Sequence, residues 1–192
     1  MKTLISSIAL STFFFVACNN GNQTTKMDKN TSSTSTVDQG TKEDLKTAAG
    51  SISGLLTNYL QIKNALSKDN DQEAATAAKD MVNAFGSFDK AALTTEQAKV
   101  YNDIEEDALQ HATHIADNSG KIDHQREHFE ILSKDIYDLV KEMGAGQKLY
   151  YTNCPMYNNN KGANWLSETK EVQNPYLGQS MPTCGTVKEE LN

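Results

Sequence analysis

Residues 101–146 read YNDIEEDALQHATHIADNSGKIDHQREHFEILSKDIYDLVKEMGAG. Before the break at Asn118-Ser119-Gly120, the residues Tyr101, Ile104, Ala108, His111 and Ile115 recur at helical steps. After it, Phe129, Leu132, Ile136, Leu139 and Met143 do the same, until Gly144-Ala145-Gly146 stops the pattern. Two amphipathic helices joined by a turn this short pack as an antiparallel hairpin. The same periodicity continues upstream. Leu45, Ala49, Ile52, Leu55, Leu56, Tyr59, Ile62 and Leu66 form one stripe. Ala74, Ala77, Ala78, Met81, Phe85 and Phe88 form another. Asp69-Asn70 breaks the first from the second, and Thr94 or Thr95 caps the third helix. Four helices of similar length with short connections predict a mainly α fold, an antiparallel up-and-down four-helix bundle.

Beyond Gly146 the composition changes. Lys148-Leu149-Tyr150-Tyr151-Thr152 has strand propensity and runs into Cys154. Asn158-Asn159-Asn160 with Gly162, and Asn174-Pro175-Tyr176 with Gly178, are turns. The expectation is a loop-rich C-terminal segment containing short β-structure. It needs a tie, whether Trp165 and Tyr176 docked on the bundle, a Cys154–Cys184 bridge, or a metal.

The N-terminus sets the redox compartment. Residues 1–17 read as a secretory signal, with Lys2 as the positive region and an apolar run from Leu4 to Val16 that is too short to span a membrane. It ends Phe15-Val16-Ala17-Cys18, similar to a lipoprotein processing site, so lipidation of Cys18 is expected. The alternative, an ordinary cleaved signal, would leave an exposed thiol in an oxidising compartment. Residues 18–40 are Asn-, Ser- and Thr-rich and read as a disordered tether, and residues 41–192 as one domain. With Asn19 rather than Asp after Cys18, the expected location is the periplasm, lipid-anchored, at the outer membrane. The whole chain carries a formal charge of −7 with no basic cluster, which excludes nucleic acid as a natural partner. Asp103-Glu105-Glu106-Asp107 reads as a solvated helix face.

Two sets of residues carry metal chemistry. Cys154-Pro155-Met156 and Met181-Pro182-Thr183-Cys184-Gly185 supply two thiols and two thioethers, soft donors that select Cu(I). In a hairpin that turns near residue 120, facing positions have a nearly constant sum of residue numbers: 239 for His111 with His128, and 238 for His114 with His124. The four imidazoles then gather at one end of the bundle, where they suit copper or zinc. The competing readings are a Cys154–Cys184 disulfide and packing or surface histidines. The C-terminal segment starts at the opposite end of the bundle from the histidines. A mixed site would need it to fold back by about 30 Å, so separate sites are expected, with the sulfur set foremost.

Several motifs, taken together, carry a resemblance: Tyr151-Thr152-Asn153-Cys154-Pro155-Met156, Lys161-Gly162-Ala163-Asn164-Trp165-Leu166-Ser167-Glu168, Asn174-Pro175-Tyr176-Leu177-Gly178, Met181-Pro182-Thr183-Cys184-Gly185, and Asp123-His124-Gln125-Arg126-Glu127-His128-Phe129. The set resembles domain of unknown function 3347 over about residues 45–187. The resemblance implies a helical bundle with a capping C-terminal segment, found in bacterial lipoproteins and on periplasmic adaptors of copper/silver efflux systems. The Cys-Pro-Met and Cys-Gly ends look like those of the heavy-metal-binding modules of such adaptors. It therefore implies metal handling, but the family has no established activity. The barrel and coiled-coil segments of an adaptor are not expected here. The expected role is accessory, a protein that holds a soft metal, copper with zinc as rival, near an efflux system or another periplasmic protein. A structural or partner-binding module stapled by a disulfide is the alternative. Catalysis is not expected, because Ser167 and His128 sit in no nucleophile–base pattern and no phosphate loop follows a strand.

Overall fold

A computed structural model describes residues 40–192, with helix α1 spanning Gly40–Ser67, α2 Asp71–Gly86, α3 Thr95–Asp117 and α4 Ile122–Met143. Each helix packs on the next and α1 closes on α4, giving the expected up-and-down bundle. The expected signal peptide, Cys18 and tether lie outside the described residues except for Gly40, which opens α1; the side chains of Leu45 and Ala49 lie outside them too.

The caps are where the sequence signals put them. Asn70 accepts from the Glu73 N–H to start α2, and Thr94 forms a capping box with Gln97 to start α3. One expectation needs correcting: the helices are not of similar length, since α2 has 16 residues against 28 in α1. Phe88 lies beyond the end of α2 and stacks on Tyr101 with ring centroids 4.2 Å apart, extending the core without extending the helix. Ile52, Leu55, Tyr59, Ile62 and Leu66 of α1 meet Met81, Ile115, Leu132 and Leu139 in the buried interior. Among the described residues no helix is long and apolar enough to cross a membrane.

The C-terminal segment is a three-stranded antiparallel sheet in the order β2-β1-β3, built from β1 Leu149–Cys154, β2 Ala163–Ser167 and β3 Thr186–Leu191. The β1–β2 connection turns through Asn158, Asn159 and Asn160, all at positive φ, a conformation Asn tolerates better than most residues. Trp165 and Tyr176 are both buried. The Tyr59 hydroxyl fastens sheet to bundle, accepting from the Leu166 N–H at 3.0 Å and sharing a hydrogen bond with the Ser133 hydroxyl at 2.9 Å.

The chain folds back along α4. Tyr151 stacks on Tyr137 at 4.0 Å, the Asn158 amide donates to Glu130, and Arg126 Nε donates to the Pro175 carbonyl at 2.9 Å. From Met143 to Arg126 this retraces about 25 Å of helix. Arg126 also reaches the Leu66 carbonyl and pairs with Asp69, tying the α1–α2 turn into the same clasp.

Candidate metal centre

The hairpin of α3 and α4 brings all four histidines together. His111 lies in the buried stripe of α3, while His114, His124 and His128 are half-buried. Ring centroids are 4.2 Å apart for His114 and His128, stacked, and 4.5 Å for His124 and His128, edge to face. The His124 and His128 Nε2 atoms are 3.2 Å apart, and the His111 and His128 Nδ1 atoms 2.7 Å. One ring nitrogen from each of His114, His124 and His128 lies within 4.8 Å of the others, a grouping that a small movement of the rings can draw in around one ion. Two imidazoles bound at about 2.05 Å with a tetrahedral angle between them have nitrogens about 3.3 Å apart, so His124 and His128 already stand at ligand spacing.

Two carboxylates that sequence reasoning passed over stand behind the rings. Asp107 Oδ1 is 3.3 Å from His111 Nε2, and Glu127 Oε2 is 3.3 Å from His124 Nδ1. Their signal was the spacing Asp-x-x-x-His on α3 and His-x-x-Glu on α4, which puts each acid on the same helix face as its histidine. Burial, reinforced by the three neighbouring imidazoles, pushes the His128 pKa down to about 4. His111 is also lowered, chiefly by burial, with Asp107 opposing. Metal ligation requires neutral imidazole, and the packing favours that form of His128.

The sulfur set has a different geometry. Cys154 ends β1 fully buried, Cys184 is half-buried, and their Sγ atoms lie 2.7 Å apart. Two thiolates bound to one metal at about 2.3 Å would sit nearer 3.8 Å. The Cys184 thiol is pushed up to about 11, first by burial and then by Cys154 beside it, while the Met156 N–H pulls it down. At neutral pH it is a thiol and not a ready-made thiolate ligand. Met156 and Met181 meet Cys184 through backbone, the Met156 N–H toward the Cys184 sulfur and the Met181 carbonyl accepting from the Cys184 N–H. The two methionines are 50% and 38% exposed, whereas Cys154 is fully buried.

The fold-back brings the C-terminal segment level with the histidines but on another face of α4. At 100° per residue, His124 and His128 share one side of α4, while Arg126 and Glu130, which hold the segment, point roughly the opposite way. Sequence reasoning kept the two clusters apart by leaving the segment at the far end of the bundle; the segment does fold back, and it is the facing of α4 that separates them.

The family model described as Protein of unknown function (DUF3347) matches residues 55–148. That match ends one residue before β1, so the four histidines fall inside it and both cysteines outside. No curated protein and no solved structure matches the chain.

Proposed function

From a chain whose helical bundle belongs to the DUF3347 family, we propose a metal-binding protein that holds copper or zinc at the histidine end of the α3–α4 hairpin. The observation that carries this reading is the convergence of His114, His124 and His128 donor atoms within 4.8 Å on two packed helices. Rigid helices keep the three rings grouped, so the ion asks only for side-chain turns and not for movement of the backbone. Among divalent first-row ions an imidazole set holds Cu(II) most tightly, with Zn(II) next in relevance. The sulfur pair takes a different role. Oxidation of Cys154 and Cys184 by a disulfide-bearing oxidant forms one S–S bond and transfers two hydrogens to the oxidant, which becomes two thiols. The product is a staple across the C-terminal segment.

The signal-like residues 1–17 and Cys18 support a lipid-anchored periplasmic protein at the outer membrane, an accessory to metal homeostasis or efflux that acts beside another periplasmic protein. The test is equilibrium titration of the purified protein with Cu(II) and with Zn(II). One ion bound per chain, lost when His114, His124 and His128 are all replaced by Ala, supports the reading. Unaltered uptake by that triple variant overturns it.

A further inference from the structure

Resting on the metal-binding reading above, the geometry assigns the four histidines unequal roles: His114, His124 and His128 are the ligands, and His111 is a positioning residue that orients His128. The assignment follows from hydrogen-bond accounting. Asp107 faces His111 Nε2 and Glu127 faces His124 Nδ1. A carboxylate accepts, so those two nitrogens carry the protons. His111 Nδ1 and His124 Nε2 are then left with lone pairs, and both point at His128.

His128, in its neutral form, has one N–H to give. The 2.7 Å contact to His111 is a short hydrogen bond and is too close for two ligands of one ion, so His128 Nδ1 donates there. That leaves His128 Nε2 and His124 Nε2 as two lone pairs facing each other at 3.2 Å. Such a contact is repulsive until something positive lies between or beside them. His114, stacked against His128 at 4.2 Å, brings a third donor within 4.8 Å of the other two, and a turn of its ring aims that donor between them. A cation there satisfies all three lone pairs at once. The chain Asp107–His111–His128 is thus a carboxylate-backed relay behind one ligand, and Glu127–His124 is a second, shorter one. Three protein ligands leave one coordination position for water or for a donor from another molecule, the arrangement of an exchangeable ion and not of a closed structural site.

The test compares His111→Gln, His111→Leu, His114→Gln, His124→Gln and His128→Gln, each loaded with Co(II), by visible ligand-field spectrum and by competition affinity. Replacing a ligand should alter the spectrum and weaken binding by about a hundredfold or more. His111→Gln, whose amide oxygen can still accept from His128, should keep the wild-type spectrum and lose at most about tenfold. His111→Leu should keep the spectrum as well but lose about 10–100-fold. Nitrogen-15 NMR of the metal-free protein should find the His111 proton on Nε2 and the His124 proton on Nδ1. A His111→Gln protein with an altered Co(II) spectrum and ligand-sized loss would overturn the assignment while leaving the metal site standing. Failure of the wild type to bind any ion would remove both.

Discussion

The histidine hairpin and the cysteine pair both concentrate metal-binding residue types, and they differ in the one respect that decides what such a cluster can do. In the hairpin, His124 and His128 nitrogens stand 3.2 Å apart, each held on its own turn of a rigid helix, close to the spacing that a shared ion imposes. In the C-terminal segment, the two sulfurs stand 2.7 Å apart and contact each other, leaving no room between them. The first separation suits two donors that share an ion, and the second does not. The softer ligand set is the better one for Cu(I) by composition and the poorer one by geometry.

The largest effect that would break this contrast is on metal affinity itself. His128→Ala should lower Cu(II) affinity about a thousandfold, roughly 4 kcal/mol, whereas Cys154→Ser with Cys184→Ser should leave it within about twofold. Competition titration measures both, and the reverse pattern would move the site to the sulfurs. The next effect is on stability. Closing a loop of about thirty residues is worth about 3–4 kcal/mol in the chain-entropy picture. Isolated protein should be two hydrogens lighter than its reduced form, and reduction should lower its denaturant midpoint without changing the metal affinity. Two free thiols in the isolated protein would remove the staple.

A smaller change tests whether the clasp between the regions is separable from the metal centre. Gly178 sits at φ +51°, and a side chain there would run into the Asp69 carboxylate that pairs with Arg126. Gly178→Ala should cost about 1–3 kcal/mol of stability and leave metal affinity unchanged.

The smallest effects are in pH dependence. Asp135 is buried in α4 with one carboxylate oxygen unpartnered, and burial with Asp107 nearby raises it to about 7. A carboxyl raised in the folded state contributes stability fully present below its unfolded value, near pH 4, and lost as pH rises through about 7. Asp135→Asn should therefore raise the melting temperature by about 2–4 °C at pH 8 and leave it unchanged at pH 3. His128, lowered to about 4, acts in the opposite sense. Its contribution is present above pH 6.5 and is lost as pH falls through about 4, so the metal-free protein should lose stability with acid less steeply in a His128→Gln variant. Thermal melts across that range check both signs.

The helices and their caps were legible because helix signals are local: apolar residues every three or four positions, Asn70 and Thr94 before the first turns, Gly144 after the last. The sheet was only partly legible. Leu149–Cys154 carries strand-forming residues, but Thr186–Leu191 is half charged and owes its strand form to pairing with β1. The facing of His111 and His128 could be read from the turn at residue 120, since a short hairpin fixes which positions meet. Asp107 and Glu127 could have been read from helical spacing, and were obscured by the many other acidic residues on the same helices. Arg126 and Gln125 gave no such signal. Gln125 spans the carbonyls of Asp71 and Ile115 across three helices, contacts that exist only after the bundle has packed.

By itself, then, the sequence determined that four helices form, that the third and fourth make a hairpin, and that this hairpin gathers four imidazoles at one end. Each of those follows from period, cap and turn length, which act over a few residues. Only the tertiary structure decided that the C-terminal segment folds back along α4 yet lies on the face away from the histidines. It also decided that the thiols meet each other, and which histidine nitrogens stand against one another. Those outcomes depend on packing between residues far apart in the chain, where a shift of an ångström separates a ligand from a hydrogen-bond partner.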